Sequence, residues 1–154
     1  MPSHDLNLFA DYFQFYLQDE SADADLSDAW DSVAVQRMFA VATGVVGIGT
    51  ARNMDVPVKL EFLDAEPVAD FADFDHVVEG SLHLKGGSLV VAGCTDYFPD
   101  AARFDLGPGT YRVRLSASGL STLSEDGLDG RDRYRVQLWQ ASHVEPTVLK
   151  QRAV

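Results

Sequence analysis

The sequence predicts a mainly β protein: an antiparallel β-sandwich of about eight or nine strands with one short helix, a single domain over residues 1–154. Three observations carry that expectation. From Val45 onward, apolar and polar residues alternate with the period of two that a strand imposes. The alternating runs are separated by Gly, Pro and Asp, as in "NMD" (53–55), "KGG" (85–87) and "GPG" (107–109), at lengths suited to tight turns. At 154 residues the chain can bury roughly two thirds of the surface that its unfolded form exposes, enough for one core.

Taken in order, "LFADYFQFYL" (8–17) reads as a first strand, with Phe9, Phe13, Phe15 and Leu17 on one face and Tyr12, Gln14 and Tyr16 on the other. "QDESADADLSDAWDS" (18–32) follows, carrying Asp19, Glu20, Asp23, Asp25, Asp28 and Asp31 without a base, and reads as a solvated loop or acidic surface turn. Residues 31–42 suit the helix, since Asp31 or Ser32 can cap it and Val35, Met38, Phe39 and Ala42 fall at helical spacing. The β-branched residues of "DSVAV" leave a strand as the alternative there. Strands are then expected at 45–51, 56–63, 75–84, 88–94, 102–106, 109–118 and 132–142.

Charge restricts function more than any motif does. The net charge is −12, and the acidity is concentrated early: residues 1–100 hold 18 Asp and Glu against 4 Lys and Arg, whereas residues 101–154 hold 6 against 8. Direct binding of nucleic acid is not expected, because phosphate contacts need basic surface. The inverse is open: clustered carboxylates can imitate a phosphate array and meet a basic groove on a DNA-handling protein, with plain solubility as the competing explanation. The longest mainly apolar run, 38–51, is too short and glycine-rich to span a bilayer, so no membrane partner is expected. The N-terminal twenty residues carry acids where a signal peptide carries bases, and Cys94 is the lone cysteine. Both point to the cytoplasm, and "VVAGCTDYF" makes Cys94 a small side chain at a strand end.

Each candidate site has a plainer reading beside it. The loop 119–131, with Glu125, Asp126 and Asp129, and Asp132 just beyond it, is either a weak divalent-cation site or an ordered hairpin connection. Its spacing does not match that of a calcium loop. In the flanking strands, alternation puts Arg112, Arg114, Arg133 and Arg135 on one sheet face. They could grip an anion there, or meet solvent, or pair with the protein's own acids. An enzyme would have to use Asp73, Asp75, His76 and His83, yet the histidines are seven residues apart and so face opposite ways in a continuous strand. A small-ligand or carbohydrate-binding module would use Trp30, Trp139 and Tyr97 as stacking residues, if they shared a groove. No cofactor motif is present, and the sequence leaves the oligomeric state open.

The segment "WDSVAVQRMFAVATGVVGIGTARN" (30–53) resembles a region of the competence protein J family, whose known member inhibits a DNA-entry nuclease. In that family a Trp opens a short helix, an Ala-rich turn with Gly follows, and a strand ends in Arg-Asn. Trp30, Gly44, Arg52 and Asn53 occupy those places. "YFQFYLQD" (12–19) and "ARFDLGPGTYRVRL" (102–115) extend the resemblance over about residues 8–116, while the C-terminal part departs from the family pattern. The resemblance implies an inhibitor without catalytic residues of its own. With the acid surplus, it implies a basic protein partner such as a nuclease, contacted through Asp19, Glu20, Asp23, Asp25, Asp28 and Asp31.

Overall fold

A computed structural model describes residues 3–23 and 26–152, which form two β-sheets packed face to face. Numbered in chain order, the first sheet runs β1 (Ser3–Phe9), β5 (Asp55–Phe62), β10 (Arg133–Gln140), β9 (Gly109–Ser118), β6 (His76–Leu84), β11 (Thr147–Lys150). The second runs β3 (Phe39–Ala42), β4 (Val45–Gly49), β2 (Gln14–Asp19), β7 (Ser88–Gly93), β8 (Ala102–Asp105). Every pairing is antiparallel except β5 with β10. The expected sandwich is thus the observed one, with more strands than the sequence suggested. Among the described residues, no helix is long and apolar enough to cross a membrane.

Two elements differ from expectation, and a third, β11, has no counterpart among the expected strands. The strand read over 8–17 is two strands: β1 ends at Phe9, Asp11–Phe13 make a single 3₁₀ turn, and β2 starts at Gln14 in the opposite sheet. The helix read over 31–42 is only α1 (Ser32–Arg37). Asp31 caps it by accepting from the Ala34 N–H at 2.8 Å, and Met38, in the left-handed region at φ 60°, stops it. The chain can then enter β3, where Phe39 is fully buried instead of lying on a helix face, while Val35 points to solvent.

The core is what alternation requires. Phe15, Leu17, Ile48 and Leu89 of one sheet meet Val58, Leu115, Tyr134 and Val136 of the other, and Phe15 touches the Tyr134 ring edge-on at 6.4 Å. Gly80 leaves room in β6 for the Phe39 ring: a Cβ there would lie 2.5 Å from it. The outer face of the five-stranded sheet has a smaller core of its own, Leu26, Ala34, Ala40 and Val45, with Trp30 packed against it. Gly47 makes this possible, since a Cβ at that position would meet Leu26 at 2.6 Å and Trp30 at 2.8 Å.

Candidate interaction surface

Leu26 and Trp30 pack on the outer face of the second sheet, and most of the described acids that flank them in the chain face solvent. Trp30 Nε1 donates to Gln14 Oε1 at 2.8 Å. Glu20, Asp23, Asp28 and Asp31 are exposed. Asp19 is not: it is buried, accepting from the Ser21 hydroxyl at 3.0 Å and from the Lys85 N–H at 3.1 Å. Alternation explains the difference, because Asp19 stands opposite Leu89 on the inward side of β2. It fastens the end of β2 to the turn after β6 and leaves the exposed set. Glu20 is bound by Arg103, whose guanidinium also lies 5.0 Å from the centre of the Phe98 ring. Asp25 lies outside the described residues.

Beside this acidic strap the β1–β2 corner holds two aromatic side chains in solvent. Tyr12 and Phe13 are 67% and 53% exposed, with φ of 59° and 61°. A non-glycine residue in that region costs roughly 1–2 kcal/mol, so surrounding structure must hold it there. Residues 50–54 do so: Asn53 Oδ1 accepts from the Tyr12 N–H at 2.8 Å, Thr50 N–H donates to Phe13 O at 2.9 Å, and Ala10 N–H donates to Met54 O at 2.9 Å. That brace is anchored in turn. Arg52 meets the buried Asp132 at 2.6 Å, and Ala51 N–H donates to the Tyr134 hydroxyl at 2.7 Å. The Tyr134 hydroxyl donates to Asp132 at 2.7 Å, and burial, above all, raises its pKa far over the ordinary phenol range. Below the corner lies a groove of about 620 Å³ walled by Tyr12, Phe13, Trp30, Val35, Met38 and Thr50. The sequence signal for this surface was the aromatic run "DYFQFY" beside the acids, but alternation put Phe13 on the same face as Phe15 and Leu17 and Tyr12 on the other.

The arginine stripe is mostly internal to the fold. Register puts all four arginines on the outer face of the six-stranded sheet, with Arg112 opposite Trp139, Arg114 opposite Gln137, Arg135 opposite Ser116 and Arg133 opposite Ser118. The segment after β5 carries Asp70, Phe71 and Phe74 over this face. Arg135 makes two bonds to Asp70, at 2.8 and 2.7 Å, and its guanidinium lies 4.4 Å from the Phe74 ring centre. The Arg135 bond is the main reason that the Asp70 carboxyl titrates below its ordinary range. Arg112 and Arg114 share Glu79, at 3.4 and 3.0 Å. Only Arg133 of the four is exposed, so the pairing of these arginines with the protein's own acids, one of the three readings open from sequence, describes the other three.

The remaining candidates do not assemble. Asp126 is spent on its own loop, accepting from the Ser124 hydroxyl at 2.6 Å and the Leu128 N–H at 3.0 Å; the hydroxyl bond leads in lowering its pKa. No group of three or more potential metal ligands converges among the described residues. Trp30 and Trp139 lie on the outer faces of opposite sheets, Trp139 buried beneath Arg114, so no stacking groove joins them. His83 is exposed on one side of β6 and His76 fully buried on the other, while Asp75 accepts from Leu120 N–H at 3.0 Å.

His76 is instead a structural latch. Its Nε2–H donates to Arg37 O at 2.7 Å and its Nδ1 accepts from the Arg152 N–H at 3.1 Å, an arrangement that requires the neutral ring. Burial, the largest cause, holds its pKa below the ordinary value of 6.5. The unfolded chain therefore binds this proton more readily, so the stability contribution is complete above about pH 6.5 and is lost on acidification toward the lower folded value. We expect the thermal midpoint to fall between pH 7.5 and 5.5, and to fall less in His76→Gln. Equal falls would show that the latch is not what titrates.

No protein-family model matches the chain, and no curated protein sequence matches it. Two solved structures do. One is ComJ from Bacillus subtilis, described as an inhibitor of the DNA degrading activity of NucA: TM-score 0.67, 17% identity, covering 92% of this chain and 96% of ComJ. The other, described as crocagin biosynthetic gene J, has a TM-score of 0.61 at 18% identity, covering 92% of this chain and 100% of its own. The resemblance to the competence protein J family read from residues 8–116 is therefore a likeness of fold that extends over most of the chain, including the C-terminal part where the sequence pattern departs.

Proposed function

We propose that this chain is a non-catalytic inhibitor or immunity-type protein of the cytoplasm, which binds a basic nuclease or another DNA-handling protein through its acidic N-terminal part. The observation that supports this reading is the acidic strap on a fold shared with a nuclease inhibitor, most of its described carboxylates facing solvent beside Leu26 and Trp30. Aspartates on a pinned segment keep their charge near the backbone, as a phosphate-like array requires. The test is to resolve the DNA-degrading activities of the native cell extract and add the purified chain. Stoichiometric loss of one basic nuclease's activity is expected, and no loss at about micromolar chain would end the proposal.

The strap should act mainly on encounter. Exposed charges steer association, and their reach shrinks from about 10 Å at 0.1 M salt to about 3 Å at 1 M. Replacing Glu20, Asp23, Asp25, Asp28 and Asp31 by Gln or Asn should lower the association rate roughly tenfold at low salt, and Asp31→Asn keeps a competent helix cap. The same treatment of Glu125, Asp126 and Asp129 should leave it nearly unchanged. Stopped-flow measurement with the inhibited nuclease decides. A rate indifferent to both salt and these replacements contradicts the steering role.

A further inference from the structure

We infer that the Tyr12–Phe13 corner and the groove beneath it form the dry centre of the partner interface, built to receive an apolar side chain flanked by lysine or arginine on a folded basic protein. This deepens the reading above and rests on it for the partner's charge. Steering carboxylates on a rim do not by themselves hold a complex; binding energy concentrates in a few well-packed aromatic anchors that lose their water. Tyr12 and Phe13 fit that description. They are large, more than half exposed, and held out by a backbone conformation that their side chains disfavour and that residues 50–54 enforce.

The groove they wall continues the apolar surface inward through Trp30, Val35 and Met38. Three acids neighbour its lining in the chain: Asp28 and Asp31, both exposed, adjoin Ser27 and Trp30, and Asp11, which accepts from the Tyr12 N–H, adjoins Tyr12. The one charged residue of the lining itself is Arg152, and the acids stand beside it in the chain. An apolar floor beside exposed aspartates, on a chain of net charge −12, is complementary to an aliphatic or aromatic residue between basic neighbours. A second copy of this chain is a poor occupant, since two molecules of net charge −12 would bring like-charged surfaces together.

The decisive variant is Tyr12→Gly with Phe13→Gly, because glycine relieves the left-handed strain while removing both anchors. Its thermal midpoint should be unchanged or higher by roughly 2–4 °C. Phage-displayed random peptides panned on the immobilised full-length chain should converge on an aromatic or aliphatic residue flanked by Lys or Arg, and synthetic versions should bind the double variant at least about thirtyfold more weakly. Val35→Ser, at an exposed lining position, should weaken them severalfold without altering stability; it decides the matter if the glycine variant proves less stable. The inference is overturned by peptides lacking basic flanks, by undiminished binding to the variants, by no enrichment, or by self-association of the parent chain through this face in sedimentation. If the double variant still inhibits the nuclease with unchanged affinity, the corner is not the anchor and the inhibitor reading stands. If the peptides select the corner but no nuclease is inhibited, the reverse holds.

Discussion

Asp132→Ala is expected to destabilise the protein by about 3–5 kcal/mol, because it leaves the Arg52 guanidinium buried without its carboxylate. Asp132 is fully buried and the Arg52 side chain is 11% exposed, so water cannot replace the lost partner without opening the fold. The contact at 2.6 Å is one of charge more than of alignment, since neither Arg52 Nε nor Asp132 Oδ1 forms a well-directed hydrogen bond. The alanine variant therefore removes mainly the compensation of a buried cation, together with the acceptor for the Tyr134 hydroxyl. Asp132→Asn restores an acceptor but no charge and should fall between. Arg52→Met with Asp132→Leu should recover the part of the loss that comes from the unpaired cation, but not the part from the Tyr134 hydroxyl, which still lacks its acceptor. Urea unfolding at pH 7 checks all three. A cost for Asp132→Ala below about 1 kcal/mol would mean that the pair is solvated and that the argument fails.

The consequence reaches the interaction surface, because Asp132 and Tyr134 anchor the segment 50–54 that braces the corner. Local weakening should appear first as faster hydrogen exchange at the Tyr12 and Thr50 amides, ahead of the central strands. This chain of supports also accounts for what the sequence revealed. Gln14, Trp30, Arg52 and Asn53, among the residues behind the family resemblance, are structural: Trp30 bonds Gln14, Asn53 holds the Tyr12 amide, and Arg52 pairs with Asp132. They report a shared fold directly and a shared partner only indirectly.

What stayed hidden was decided by distant contacts. Apolar alternation runs through residues 8–17 without a Gly or Pro, so nothing local marks the break at Asp11–Phe13; it exists because β1 and β2 belong to different sheets and residues 50–54 seize the turn. The end of α1 was similarly obscured, since Met38 and Phe39 continue the helical spacing while β4 offers Phe39 a better-buried place beside Ile48. Alternation did place the four arginines on one face correctly, since side chains on paired strands must share a side. It could not reveal what covers that face, because the covering residues Asp70, Phe71 and Phe74 come from a single 3₁₀ turn and its caps in the connection between β5 and β6, too short to show a period.

Glu79 is the carboxylate on which that covered face depends, and Glu79→Ala should cost about 3–5 kcal/mol for the same physical reason as Asp132→Ala. Its two oxygens serve Arg112 and Arg114, whose side chains are 12% and 4% exposed. Arg112 retains the Ser142 carbonyl at 2.9 Å, so Arg114 suffers more. Arg114 Nη1 and Arg112 Nε already lack hydrogen-bond acceptors, and what remains for Arg114 is the rings of Trp139 and Phe71, centred 5.0 and 5.4 Å away. A cation over a ring is worth roughly 0.5–2 kcal/mol, too little to offset an unpaired buried guanidinium. Glu79→Leu with Arg114→Met should therefore recover the Arg114 share of the loss, while Arg112 keeps only its carbonyl and its own share persists. Chemical unfolding measures both variants. The result also bears on function: if Glu79→Ala cost less than about 1 kcal/mol, Arg112 and Arg114 would have to be hydrated, and the outer face of the six-stranded sheet would return as a surface able to bind an anion.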